Sequence, residues 1–171
     1  MKTLHIIMPM AGEGSRFKEA GYTVPKPLIK VEGIELFRRA LGSFNYYCTP
    51  TNIPETKYTF SVRSEYISDY EIDKKIKMYY PNANILAVEK TTRGALETLM
   101  LAKDLIDDED YVVSLDCDIK FVCDNYIREI WNRLMYDSFV PMVLTFYSKN
   151  PIYSFIHPVN TNYGDHLEEK N

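Results

Sequence analysis

Residues 4–17 read LHIIMPMAGEGSRF, and they give the clearest indication of the fold. The apolar residues 4–8 have the length and composition of a buried β-strand, and two glycines follow the strand almost at once. In α/β proteins the first strand-to-helix loop lies at the carboxyl edge of the sheet, where ligands bind. Glycines let a backbone offer its N–H groups to anions, and Arg16 adds a fork of donors suited to phosphate. The loop therefore predicts a phosphate site, with an ordinary structural turn as the alternative.

The segments outward from this loop alternate between two periodicities. Strand-like runs occur at residues 4–8, 58–62, 85–88, 111–115 and 142–147, and helix-like runs at 34–47, 66–79, 95–106 and 124–134. Asp124 is placed to cap the last of these helices. Alternation of this kind predicts a mainly parallel sheet with helices on both faces. We see no internal repeat or linker, and we expect one domain.

Composition excludes several classes of protein. The chain has 171 residues, 46% of them hydrophobic and 26% charged, with a net charge of −4, so disorder, coiled coil and a basic nucleic-acid surface are not expected. The three cysteines have no disulfide or zinc-ligand pattern. No apolar run approaches the roughly 20 residues that span a bilayer. We expect a cytoplasmic protein without a nucleic-acid or membrane partner, and the sequence does not indicate its oligomeric state.

A second segment, residues 24–33, bears on the function of the glycine loop. Residues 24–33 read VPKPLIKVEG, and the two prolines fix the backbone on either side of Lys26, so that the ammonium group points in a defined direction. The alternative for this segment alone is an exposed rigid turn with a solvated lysine. A P-loop is excluded because no Lys-Ser/Thr pair follows Gly14, and a dinucleotide fingerprint is excluded because Phe17 stands where it needs a third glycine or alanine.

Taken together, the two segments resemble the sugar-phosphate nucleotidyltransferases, or NDP-sugar pyrophosphorylases. That family combines an apolar strand, Ala-Gly-x-Gly-x-Arg, Pro-Lys-Pro-Leu, a short glycine turn and a helix, and residues 8–41 follow this pattern throughout. The variant at residues 17–22 is similar to a branch associated with bacterial surface polysaccharides. The resemblance implies an α/β, Rossmann-like (GT-A-like) three-layer sandwich with a mainly parallel, mixed central sheet.

Residues 89–99, EKTTRGALETL, resemble the turn that recognises the nucleobase in this family. Gly94 stands where the family has a glycine that opens a helix, and Glu89 stands where many members have a glutamine that reads a pyrimidine. Because an ionised glutamate only accepts hydrogen bonds, Glu89 favours a base with an amino group, which predicts CTP over UTP. The alternative is a helix start without a ligand.

Residues 111–118, YVVSLDCD, place two carboxylates after an apolar strand. Strand alternation predicts that Asp116 and Asp118 lie on the same face, where magnesium shared with phosphate would compensate their charge. The resemblance implies that Asp118 is the Mg²⁺ ligand and that Asp116 supports it or binds through water. The Asp-x-Asp pattern also occurs in nucleotide-sugar glycosyltransferases, which lack the two segments at residues 9–17 and 24–33. Cys117 is expected to be a packing residue.

The reaction implied by the resemblance is attack of an acceptor phosphate on the α-phosphorus of a nucleoside triphosphate, with release of pyrophosphate. Phosphate monoesters are already largely ionised at neutral pH, so no general base is needed. A non-catalytic nucleotide-binding domain and a glycosyltransferase are the alternatives. The implied site residues are Arg16 for pyrophosphate, Lys26 for the α-phosphate, Ala11, Gly12, Gly14, Ser15, Glu89 and Gly94 for the nucleotide, and Glu169 and Lys170 for a phosphorylated small-molecule acceptor.

The length of the chain adds an expectation about the completeness of the domain. Catalytic domains of this family extend well beyond the Glu-Lys strand that residues 169–170 resemble, and a further metal-binding aspartate lies in that later part. We therefore expect residues 1–171 to form a single nucleotidyltransferase domain that is incomplete at its carboxyl end and that binds nucleotide better than it catalyses.

Overall fold

A computed structural model describes residues 2–44 and 55–150, together with the backbone of residues 155–160 and 163–168. The chain divides into two compact units, Met1–Val140 and Pro141–Asn171. The first unit contains strands β1 (Leu4–Met10), β2 (Lys30–Val31), β3 (Ile34–Glu35), β4 (Thr56–Arg63), β5 (Asn84–Val88) and β6 (Tyr111–Ser114). Its helices are α1 (Ser15–Glu19), α2 (Leu36–Leu41), α3 (Ser64–Tyr70), α4 (Ile72–Lys77), α5 (Ala95–Met100) and α6 (Asp124–Tyr136), with 3₁₀ turns at Lys26–Leu28 and Lys103–Leu105.

A four-stranded parallel sheet organises the first unit. Its strand order is β5-β4-β1-β6, and every neighbouring pair is parallel. The chain passes from β1 outward to β4 and β5 and then returns to place β6 on the other side of β1. The order therefore reverses between β1 and β6, and in such sheets ligands bind at the carboxyl ends of the strands beside this reversal. The prediction of an α/β fold built on a parallel sheet is confirmed.

The core lies on both faces of β1. Leu4, Ile7 and Met8 are almost fully buried, as are Phe37 of α2 and Phe60 of β4, whose rings meet edge to face at 6.3 Å. Each of these side chains contributes about 2 kcal/mol through burial of its apolar surface. A strand buried on both faces reads as a continuous apolar run, which explains why residues 4–8 show no alternation.

The amino-terminal edge of the sheet holds a buried polar pair. Nε2 of His5 lies 3.0 Å from Oδ2 of Asp110, and the two side chains are 0% and 7% exposed. Asp110 also accepts hydrogen bonds from the backbone N–H groups of Thr3 and Asp107. Burial by itself raises the pKa of Asp110, but these donors and His5 outweigh it and hold the pKa below its ordinary value. The pair fastens β1 to the turn that precedes β6.

The predicted helix at 66–79 is two helices in the structure. Glu71 adopts φ 50°, which is incompatible with a continuing helix, and α3 ends before it while α4 begins after it. Ile72 and Ile76 of α4 are fully buried, so the second helix buries its own apolar face after the break.

Three other helix boundaries differ from the prediction. Within residues 34–47, Ile34 and Glu35 form β3 and only Leu36–Leu41 are helical, while residues beyond 44 lie outside the described part. The 95–106 segment is helical to Met100 and continues as a 3₁₀ turn. Asp124 is the first residue of α6 and its side chain forms no cap, because Cys123 holds the N-cap position.

The second unit contains an antiparallel hairpin of β7 (Phe155–Asn160) and β8 (Tyr163–Glu168). Residues 141–150 have no regular secondary structure, so the predicted strand at 142–147 is wrong. Strand propensity expresses packing on neighbouring strands. Val143, Phe146 and Tyr147 are mostly exposed, and within the described residues no strand pairs with this segment.

Candidate functional site

The glycine loop leaves β1 at the carboxyl edge of the sheet. Gly14 adopts φ 64° at the N-cap of α1, a left-handed conformation that L side chains rarely adopt, and its carbonyl accepts hydrogen bonds from the N–H groups of Phe17 and Lys18. A Cβ placed on Gly12 would meet nothing within 4 Å. Ser15 and Arg16 are exposed, whereas Ala11 is 2% exposed. The loop thus leaves the backbone at Gly12 and the guanidinium of Arg16 accessible to a ligand.

Lys26 begins the 3₁₀ turn that the two prolines frame. Pro25 and Pro27 are buried, and the N–H of Leu28 donates to the carbonyl of Pro25 over 2.8 Å. The Lys26 side chain is 28% exposed, with Nζ 5.6 Å from the centre of the Phe17 ring and 2.8 Å from Oδ2 of Asp118. Two residues that the sequence assigns to one site are therefore in direct contact.

The two carboxylates lie beyond the strand that precedes them. β6 ends at Ser114, and Asp116 opens a turn in which its carbonyl faces the N–H of Ile119 at 3.4 Å, so strand alternation does not place the two aspartates as predicted. Withdrawal from water is the main cause that raises the pKa of Asp116, and the charge of Asp118 adds to it while Lys26 opposes it.

Cys117, between the two aspartates, is 5% exposed, and burial raises the pKa of its thiol to about 12. A thiol with this pKa is not a nucleophile at neutral pH, which agrees with the expected packing role.

The donor set at this turn suits a magnesium ion shared with phosphate groups. No group of three or more His, Cys, Asp or Glu side chains in the described residues could hold a metal ion by itself. Magnesium needs only one or two protein carboxylates when water and phosphate oxygens fill the other positions. Asp118 already binds a cation, the Lys26 ammonium, at 2.8 Å, and Asp116 offers a second carboxylate in the same turn. The residues present therefore fit such an ion.

The turn before α5 supplies the other wall of the site. Gly94 is the N-cap of α5 in extended backbone, with φ 175°, so its dihedral angles do not require glycine. A Cβ at Gly94 would meet nothing within 4 Å, which leaves room for a ligand to approach the backbone. Thr98 donates to the Gly94 carbonyl over 3.2 Å and lies 2.6 Å from the hydroxyl of Thr92. Glu89 is exposed in this turn.

The structure adds four residues that the sequence did not single out. Nη1 of Arg63 donates to Oγ1 of Thr91 over 2.8 Å, and Thr91 donates to Oε1 of Glu13 over 3.2 Å. Tyr66 nearby places its hydroxyl 3.4 Å from the Gly12 carbonyl. One signal was available, since Arg63 is a charged residue that directly ends a buried strand, at the edge where ligands bind.

The predicted site residues are brought together in part. Lys26 and Asp118 touch, and Gly12 and Gly94 lie on loops that the chain of Arg63, Thr91 and Glu13 connects. Within the described residues no hydrogen bond or ion pair joins Arg16 to another predicted site residue, and Glu169 and Lys170 lie outside the described residues.

A small cavity flanks the glycine loop on the side of α3. Its volume is about 140 Å³, and its lining includes Gly14, Phe17, Lys26, Tyr66 and Tyr70. Ligand pockets for molecules of drug size measure roughly 300–1,000 Å³, so this cavity is too small for a whole nucleotide.

Comparison with known proteins identifies the fold. No protein-family model matches the chain, and no curated protein matches it in sequence. It is structurally similar to a nucleoside-diphosphate-sugar pyrophosphorylase from Vibrio cholerae, with a TM-score of 0.64, 24% identity, and coverage of 97% of this chain and 67% of the other. A putative glucose-1-phosphate thymidylyltransferase from Bacillus anthracis matches with a TM-score of 0.68 and 16% identity, over 98% of this chain and 65% of the other. The inositol-1-phosphate CTP transferase from T. maritima matches with a TM-score of 0.50 and 18% identity, over 64% of this chain and 42% of the other.

The chain therefore has the α/β fold of nucleotidyltransferase structures, and it spans about two thirds or less of the length of these three proteins. No helix in the described part of the chain has the length and apolar character needed to cross a membrane.

Proposed function

We propose that the chain is a Mg²⁺-dependent nucleotidyltransferase that transfers NMP from a nucleoside triphosphate to a phosphorylated small-molecule acceptor and releases pyrophosphate. The observation that carries the proposal is the contact of Lys26 with Asp118 at 2.8 Å, beside the glycine loop and at the strand-order reversal. A lysine and a metal-binding carboxylate in contact at this place can neutralise charge on a reacting phosphate.

The chemistry follows from charge and alignment. An acceptor phosphate is already a nucleophile at neutral pH, and the reaction needs positioning and electrostatic stabilisation of the α-phosphate and the leaving pyrophosphate. Lys26 would contact the α-phosphate, and exposed Arg16 would bind the pyrophosphate with the loop N–H groups of Gly14 and Ser15. Magnesium held by Asp118, with Asp116 beside it, would supply charge neutralisation of the phosphate oxygens.

The nucleoside would lie between the loop that carries Gly12 and the turn that carries Gly94. Ala11 and Gly12 form one wall and Gly94 the other, and a Cβ on either glycine would enter empty space. Glu89 favours a base with an amino group, so CTP is the proposed nucleotide. The similarity to a T. maritima CTP transferase is compatible with this choice.

The acceptor is proposed from the resemblance. A sugar 1-phosphate or a similar small phosphate would meet Glu169 and Lys170, and the product would serve surface-polysaccharide precursor synthesis in the cytoplasm. We also propose that residues 1–171 belong to one nucleotidyltransferase domain.

A pyrophosphate-release screen of the four nucleoside triphosphates against phosphorylated acceptors tests the proposal. Release that requires an acceptor and Mg²⁺ supports it. Nucleotide-dependent thermal stabilisation without release or exchange of pyrophosphate would instead identify a non-catalytic binding domain. Binding of nucleotide-sugars without pyrophosphate exchange would identify a glycosyltransferase.

A further inference from the structure

A hydrogen-bonded chain of three side chains spans the two loops of the candidate site. Arg63 ends β4, Thr91 lies in the turn before α5, and Glu13 lies in the glycine loop. The distances are 2.8 Å from Arg63 to Thr91 and 3.2 Å from Thr91 to Glu13. Arg63 is itself held by Glu65 through two hydrogen bonds of 2.8 and 3.4 Å, and its side chain is 16% exposed.

The direction of this chain is fixed by chemistry. A guanidinium can only donate, so the Thr91 oxygen accepts from Arg63. The single hydroxyl proton of Thr91 then goes to Glu13, and a carboxylate can only accept. Thr91 thus links the Arg63 guanidinium to the Glu13 carboxylate with only one possible direction of donation. This link holds the Glu13 side chain against the turn before α5.

We infer that Glu13 is a specificity-determining residue for the nucleobase, held by Thr91 and Arg63 as positioning residues, and that it favours a base with an exocyclic amino group. The inference rests on the proposed nucleotide site. A carboxylate has about four acceptor positions, so the bond from Thr91 leaves capacity for a base N–H. Its carboxylate is hydrogen-bonded to Thr91 across the two loops between which the base would lie, and this places it beside the proposed base site.

CTP and UTP are the matched probes, because they differ at position 4 of the ring, where one presents an amine and the other an oxygen. Glu13→Gln keeps the shape of the side chain and turns half of its acceptor end into a donor. We expect the ratio of CTP to UTP affinity, measured by calorimetry with Mg²⁺, to fall about tenfold, as for loss of a hydrogen bond to a charged group. Thr91→Val keeps the side-chain shape and removes the link, and the ratio should fall roughly threefold.

Thr145→Val, at an exposed threonine of the second unit, is the control and should leave the ratio unchanged. A loss that were merely structural would weaken both nucleotides equally, whereas a specificity role changes the ratio. If Glu13→Gln lowered the melting temperature, the ratio of CTP to UTP affinity in Thr91→Val would decide between a specificity role and a structural one. An unchanged ratio with binding retained overturns this inference alone, and absence of nucleotide binding by the unaltered protein overturns the proposed function with it.

Discussion

Gly14 packs directly against Lys26, since a Cβ built on Gly14 would lie 3.3 Å from the Cβ of Lys26. The glycine loop and the lysine between the two prolines therefore support one another, although the sequence presents them as separate motifs. Gly12, two residues earlier, has open space around it.

This contrast predicts different outcomes for two glycine substitutions. Gly14→Ala forces alanine into φ 64° and against Lys26, and it should lower the free energy of unfolding by about 1–2 kcal/mol. Gly12→Ala should leave stability within about 0.5 kcal/mol while it weakens nucleotide binding, because its methyl group would enter the space proposed for the nucleoside. Urea unfolding and calorimetry separate the two effects. Equal stability of the two variants would contradict the packing argument.

Lys26→Ala should lower the rate of pyrophosphate release about 100-fold and change nucleotide affinity much less. A contact that strengthens as charge develops on the α-phosphate contributes to turnover more than to binding. Lys18→Ala removes an exposed lysine of α1 and is the matched control. Unchanged turnover in the Lys26 variant would refute its catalytic role.

Asp118→Asn should remove the dependence of nucleotide affinity on Mg²⁺. In the unaltered protein we expect Mg²⁺ to strengthen binding about tenfold, because the carboxylate and the nucleotide phosphates share the ion. A chelator should abolish pyrophosphate release. Titration of nucleotide with Mg²⁺ and with chelator measures both effects, and Asp104→Asn, at an exposed aspartate, is the control. A full Mg²⁺ effect in Asp118→Asn would exclude this ligand.

Asp110→Asn should lower the free energy of unfolding at pH 7 by about 2–3 kcal/mol through loss of hydrogen bonds to a buried charged group. The pKa of Asp110 lies below its ordinary value of 3.8, so its stabilisation is complete above pH 3.8 and is lost as the pH falls through the pKa of the folded state. The difference between variant and unaltered protein should therefore shrink below pH 3.8. Urea unfolding from pH 7 to pH 2 tests this, with Asp108→Asn as the exposed control. A difference that stays constant at acid pH would contradict the linkage.

The sequence predicted the sheet because its central strand β1 and residues 59–62 of the neighbouring β4 are buried on both faces. Apolar runs such as residues 4–8 and 58–62 leave little choice of structure, and the parallel order follows from alternation with helices. The glycine loop and Lys26 could be recognised for a similar reason, since glycines and prolines restrict the backbone locally.

The features that escaped prediction depend on distant partners. Glu71 interrupts a segment whose apolar spacing suits one helix, and only the backbone of the folded chain reveals that Glu71 adopts φ 50° and that Ile72 and Ile76 of the second helix are fully buried. Residues 142–147 have strand-forming side chains, but a strand needs a neighbour. Thr91 and Glu13 carry no signal of their own in the sequence, and only the fold joins them to Arg63 by hydrogen bonds.

The return of β6 to the side of β1 also has a kinetic meaning. Leu4 pairs with Thr56 on one side and with Tyr111 on the other, so the first strand of the chain acquires its second neighbour late in synthesis. Sheets that depend on such distant pairings fold slowly, because a long loop must close before the contact is made. The glycine loop would emerge from a ribosome long before Asp116 and Asp118. The proposed nucleotide site would then form only after β6 has paired with β1, because Asp116 and Asp118 follow that strand.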